Sequence, residues 1–148
     1  MLRRLSASLA PVLGAVKLDM RGEKGLAVLG DEDLLVDLLY NLVHNAQKAA
    51  PKDGMVHVLC TRAPGGGVLL CVRDTGCGIP KEELCRVTEP FYMVDKSRAR
   101  KAGGSGMGLA LCQKIAALHG AQLRIESQAG VGTRVSFTLK EAKEAQDA

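Results

Sequence analysis

Leu35, Leu38, Leu42, Ala46 and Ala49 recur at three- and four-residue intervals through DEDLLVDLLYNLVHNAQKAAP, the spacing that lines up one face of an α-helix. Asp31 precedes the run as a natural N-cap, and Pro51 with Gly54 ends it. Two runs rich in β-branched and aliphatic residues follow, MVHVLCTR and GVLLCVRD, joined by APGGG, and they predict an antiparallel hairpin. GLAVLGD, residues 25–31, predicts a short buried strand ending in a turn. A second helix is expected over about 107–118, stopped by Gly120, and after it AQLRIESQ and TRVSFTLK predict two further strands around the turn AGVG. Between residues 75 and 106 the pattern dissolves into Gly, Pro and charge, with only a short helix predicted over 82–87. Loops of that length in a compact domain are usually functional lids. No repeat or linker divides the chain. The expected class is α/β (α+β), a two-layer sandwich of a mixed, largely antiparallel sheet with helices on one face. We expect one domain over 1–148, with its core at about 25–140 and frayed ends.

Composition changes this picture little. A 148-residue chain with 47% hydrophobic and 24% charged residues suits one globular domain. An aromatic share of 3% with no Trp leaves aliphatic side chains to build the core. The net charge of +4 is mild, and the basic residues are not interleaved with aromatics as a nucleic-acid reader requires. Their dense cluster is DKSRARK, residues 95–101, immediately before a glycine-rich stretch. No apolar run approaches the length of a membrane span, so a cytoplasmic domain without membrane contact is expected. Cys60, Cys71, Cys77, Cys85 and Cys112 contain no C-x-x-C pair and read as reduced thiols. Cys77, between two glycines, is the one expected to be reachable.

Three constellations carry candidate chemistry. Asn41, Asn45 and Lys48 share one strip of the first helix, beside the leucine stripe. VRDTGCGIP places the carboxylate of Asp74 at the end of a buried strand, before bare backbone at Gly76 and Gly78, an arrangement suited to a flat ligand with an exocyclic amine. GGSGMGLALCQKIAALHG crowds glycines at a helix start, where each costs about 1 kcal/mol against alanine. Exposed amides at a helix N-terminus are a ready anion site, which gives those glycines a reason. The stretch is neither a Walker A loop nor a dinucleotide fingerprint, and eukaryotic protein-kinase signatures are missing.

In this order the motifs resemble the ATP-binding domain of the GHKL superfamily, shared by sensor histidine kinases, DNA gyrase, mismatch-repair ATPases and a chaperone class. NLVHNAQKA looks like the N-box of the histidine-kinase branch, EPFYMVDKSR like its F-box, and GGSGMGLALCQKIAALHGAQLRIES with GVGTRVSFTL like its closing boxes. The resemblance spans about residues 25–139 and implies the Bergerat-type ATP-binding fold. It further implies ATP and Mg²⁺ as cofactors. Asn45 would hold the metal and, with Lys48, carry the catalytic role at the phosphates, with Asn41 nearby. Asp74 would accept from the adenine amino group, and Gly76, Gly78 and Ile79 would form the base pocket. Tyr92, Lys96 and Arg100 would lie in the lid, Gly104, Ser105, Gly106, Met107, Gly108 and Leu109 would close over the phosphates, and Thr133 would stand near the adenine. The implied partners are a histidine-bearing dimerisation hairpin and a response regulator, with no nucleic acid.

Two absences narrow the expectation. In the hydrolytic branches and the anti-sigma-factor serine kinases a Glu lies four positions before the metal-binding Asn, and here that position is Asn41. Poor hydrolysis is therefore implied. His44, His57 and His119 lack the acidic residue that usually follows a histidine-kinase phosphoacceptor, and no acceptor helix pair precedes residue 25. The expected function is thus the catalytic domain of a sensor histidine kinase, with its histidine on a separate hairpin and its parent kinase membrane-anchored or not. The alternatives are a stand-alone serine kinase of the anti-sigma-factor type and a non-catalytic nucleotide-binding module.

Overall fold

A computed structural model describes residues 16–51, 53–84, 86–87 and 108–142. Helix α1 runs over Glu32–Ala49 and α2 over Gly108–Leu118. The strands are β1 Lys17–Gly22, β2 Met55–Arg62, β3 Val68–Asp74, β4 Arg124–Gln128 and β5 Gly132–Leu139, in the order β1-β2-β3-β5-β4. Among the described residues only β1 and β2 are parallel; every other neighbouring pair is antiparallel. The result is the mixed, largely antiparallel sheet read from the sequence.

Both helices cover one sheet face because their apolar stripes must be buried together with alternate strand positions. Leu38, Leu39 and Val43 of α1 meet Val56, Val58, Leu70 and Leu139 of the sheet, all of them buried. Cys112, Ile115 and Ala116 bring α2 into the same core, and burial pushes the Cys112 thiol up to about 12. The Asp31 carboxylate caps α1 by accepting from the Leu34 N–H at 3.1 Å. The Asp31 N–H in turn donates to His119 Nε2 at 3.0 Å, while His119 Nδ1 meets the Ile115 carbonyl at 2.8 Å. His119 thus ties the end of α2 to the start of α1, and the imidazole must carry its proton on Nδ1.

Three expectations change. The segment 25–31 is not a strand: it makes one isolated bridge, Val28 to Glu141, with Leu29 N–H donating to the Lys140 carbonyl. Both flanks of β5 are already taken by β3 and β4, so the segment can pair only with chain leaving the sheet. The edge position on β2 goes instead to Lys17–Gly22, whose K-L-D-M-R alternation is a period-two signal placed before the expected core. A parallel neighbour requires a long crossover, and α1 supplies it. The short helix over 82–87 is replaced by turns, with Glu83 N–H to Pro80 and Arg86 N–H to Glu83 carbonyls, because so short a run does not repay helix nucleation.

Candidate nucleotide-binding site

A cleft of about 230 Å³ opens between α1 and the sheet. Leu42, Asn45, Ala46 and Ala49 of α1 form one wall, Val72 and Asp74 of β3 with Thr133 and Val135 of β5 the floor, and Cys77, Gly78 and Ile79 the rim. Leu109 of α2 and Ile125 of β4 complete it. The lining is mostly apolar with a few convergent polar groups, the usual character of a small-molecule site.

Asp74 stands at the floor because β3 ends there with its even positions turned toward the helices. Its side chain is buried at 6% exposure and accepts from the Gly76 N–H at 2.8 Å. Burial raises its pKa above the ordinary 3.8, opposed by the backbone hydrogen bonds from Gly76 and Thr133. The register makes Thr133 the direct cross-strand partner of Asp74. Ser127 braces the lining from outside the cleft: its Oγ accepts from the Ile79 N–H at 2.7 Å, donates to the Gly132 carbonyl at 2.9 Å and lies 2.8 Å from Thr133 Oγ1. With its proton on Gly132, Ser127 takes that of Thr133, and Thr133 is left with acceptor lone pairs. Two acceptors side by side on the floor select a ligand N–H donor.

The glycines act by closeness of backbone. A Cβ on Gly76 would run into the Ala49 carbonyl, so Gly76 packs β3 against the end of α1 and aims its N–H at Asp74; it does not itself line the cleft. Gly78 has φ +72° and faces the Gln128 carbonyl across the rim. Gly108 lies against the Asn45 amide, so the start of α2 borders the polar end of the cleft.

Of the residues expected at the site, Asn45, Asp74, Gly78, Ile79, Leu109 and Thr133 meet on this cleft. Lys48 is one turn beyond Asn45, half-buried, and outside the lining. The Asn41 amide turns back onto its own helix, donating to the Asp37 carbonyl at 2.8 Å. Tyr92, Lys96, Arg100, Gly104, Ser105, Gly106 and Met107 lie outside the described residues. Cys77 is exposed, as expected, while Cys60, Cys71 and Cys112 are buried. The three histidines have structural partners: His119 as above, His57 with Asp19 at 3.3 Å, and His44 stacked on Tyr40 with ring centroids 5.9 Å apart. Burial, and then the nearby Lys48, lower the His44 pKa. Ser127 closes one of the quoted motifs, but no role is legible for it there, because its contacts join β4 to the Ile79 loop and the start of β5 only in the folded sheet.

The fold and cleft together define a two-layer nucleotide-binding domain. The chain belongs to the family described as histidine kinase-, DNA gyrase B- and HSP90-like ATPase, which matches residues 30–143. It is 42% identical over 117 residues to the sensor-like histidine kinase SenX3 of Mycolicibacterium smegmatis, covering 79% of this chain and 30% of that relative. To the sensor histidine kinase WalK of Bacillus subtilis it is 36% identical over 126 residues, covering 84% of the chain and 21% of the relative. The chain therefore spans less than a third of these relatives' length. Among solved structures, a mycobacterial sensor histidine kinase, MprB, superposes with a TM-score of 0.81 at 26% identity over 95% of this chain and 91% of that one. Full-length ShkA in complex with AMPPNP superposes with a TM-score of 0.80 at 26% identity, over 97% of this chain and 30% of that one. The domain is an ATP-binding catalytic domain of the histidine-kinase type.

Proposed function

We propose that this single domain binds Mg·ATP in the Asp74 cleft and presents the γ-phosphate to a histidine on a separate helical hairpin, from which an aspartate of a response regulator takes it. The observation that carries the proposal is the convergence of Asp74, Thr133, Asn45 and the start of α2 on one cleft. Asp74 and Thr133 accept from the adenine amine; the carbonyl of guanine would meet the same acceptors unfavourably. The cleft suits the base, and the triphosphate would extend past Asn45 toward the start of α2 and Lys48. No cluster of three or more His, Cys, Asp or Glu suited to a metal occurs among the described residues. A Mg²⁺ that arrives on phosphate oxygens needs little more than one hard protein oxygen, and the Asn45 amide fits that donor set. When bound, the ion would neutralise phosphate charge, while the protein positions the nucleotide.

Hydrolysis by this domain should be poor. Asn41, where hydrolytic relatives carry Glu, spends its amide on Asp37. The test is incubation of the chain with radiolabelled ATP and a purified histidine-bearing hairpin. Acid-labile, alkali-stable label on the hairpin is expected; label on serine, or binding without transfer, overturns the reading. Asn45→Ala should weaken binding about 10-fold or more in Mg²⁺ and much less in EDTA, the loss of the one protein oxygen offered to the metal. An equal loss in both would remove Asn45 from the metal.

Asp74 also sets a pH dependence. The carboxylate form accepts the adenine amine, so nucleotide affinity should begin to fall, on acidification, above the ordinary carboxylate value of 3.8. Stability of the free domain runs the other way. Because the folded pKa is raised, the contribution is present at low pH and is lost as pH rises through the folded value. Calorimetric titration across pH, with Asp74→Asn as reference, should show this affinity step only in the wild type; a step shared by both assigns it elsewhere.

A further inference from the structure

The sheet face away from the helices carries a row of side chains that the nucleotide site does not use. Asp19, His57, Arg73, Arg134 and Glu126 are successive cross-strand partners over all five strands. Each acid at the ends of this row is already engaged on its own strand: Arg21 Nε lies 3.1 Å from Asp19 Oδ2, and Arg124 Nε 2.8 Å from Glu126 Oε1. That leaves Arg73 and Arg134 opposite each other, both exposed, with no carboxylate in ion-pair contact among the described residues. Arg134 Nε donates to the buried Cys71 Sγ at 3.2 Å, which fixes the stem, and the Glu126 carboxylate across the strand adds a favourable charge without reaching ion-pair distance. Like charges directly opposite on neighbouring strands work against the sheet. Beside Arg134 runs a groove of about 660 Å³, bordered by Leu69, Arg124, Glu126, Ser136 and Thr138. Leu59, 38% exposed, extends an apolar margin one row away, opposite Cys71.

We propose that this face docks an acidic helix of a protein partner, with two of its carboxylates, at i and i+4, each held by one guanidinium. The spacing fits. Directly opposed residues on antiparallel strands have Cβ atoms about 4.5–5.5 Å apart, and i, i+4 residues on a helix about 5–6 Å. Each guanidinium can take a carboxylate in a two-point hydrogen bond, and the apolar margin receives the aliphatic part of the helix. A polyphosphate backbone or an anionic bilayer fits less well, since neither presents two carboxylates at one fixed spacing over the pair.

The test titrates the whole chain, at low ionic strength, with a fluorescent alanine-based helical peptide carrying glutamates at i and i+4, and with a permuted peptide carrying them at i and i+2. The first should bind about tenfold or more tightly than the second, and R73E/R134E should lose about tenfold or more of that affinity. R73K/R134K should retain most of the charge attraction but lose part of the preference between the peptides. Arg73→Gln alone, at an exposed strand position, should show a smaller loss in the same direction, so the result does not hang on the double variant folding. ATP affinity should be unchanged in all of them, which separates this face from the nucleotide cleft. Equal binding of both peptides, undiminished binding by R73E/R134E, or tighter binding of duplex DNA or phosphatidylserine vesicles than of the first peptide overturns the proposal.

Discussion

Asp74→Asn is expected to lower ATP affinity by about 10- to 100-fold, the value of a hydrogen bond to a charged acceptor, without destabilising the domain. The carboxylate is buried at 6% exposure, and its pKa is raised because burial outweighs the backbone bonds that favour its ionised form. Replacing it with a neutral isostere removes that burial cost. The amide oxygen of Asn can still accept from the Gly76 N–H, but its NH₂ then confronts the adenine amine, donor against donor. Titration calorimetry with ATP, paired with thermal unfolding, reads both effects. Unchanged affinity removes Asp74 from the base, and a large fall in the unfolding midpoint makes its role structural.

Gly78→Ala should be the more damaging change, costing about 2–4 kcal/mol of stability as well as nucleotide affinity. The φ of +72° penalises any Cβ, and the added methyl would overlap the Gln128 carbonyl. The rim cannot relax cheaply. Cys77 accepts from the Gly130 N–H at 2.7 Å and Ile79 donates to Ser127 at 2.7 Å, so displacing Gly78 breaks contacts on either side and shifts the wall that carries Ile79. Urea unfolding of the variant checks the first part and calorimetry the second. A variant with wild-type stability and affinity shows that the rim is not held in this conformation.

Much of the fold was legible in local patterns. The stripe from Leu35 to Ala46 is one face of a helix whatever surrounds it, and the MVHVLCTR–GVLLCVRD hairpin follows from two β-rich runs and a glycine turn, as its register confirms. The site was partly legible for the same reason: a carboxylate followed by alternating glycines marks a strand end with exposed backbone, and the cleft is found there. The misses share a cause. Residues 25–31 and 82–87 have strand-like and helix-like composition, but their state depends on a partner or a length that the fold does not provide.

The sequence by itself determined the elements, the core stripe and the chemical types available to the site, since these rest on periodicity and neighbours a few positions apart. Tertiary structure alone decided that Lys17–Gly22 joins β2 in parallel and that β5 slides between β3 and β4. Those pairings bring Thr133 beside Asp74, Ser127 under Ile79 and Arg134 against Arg73. Such contacts join residues far apart in the chain, and they are selected by which arrangement buries both helix stripes on one sheet face, a property of the whole packed domain that no local window contains.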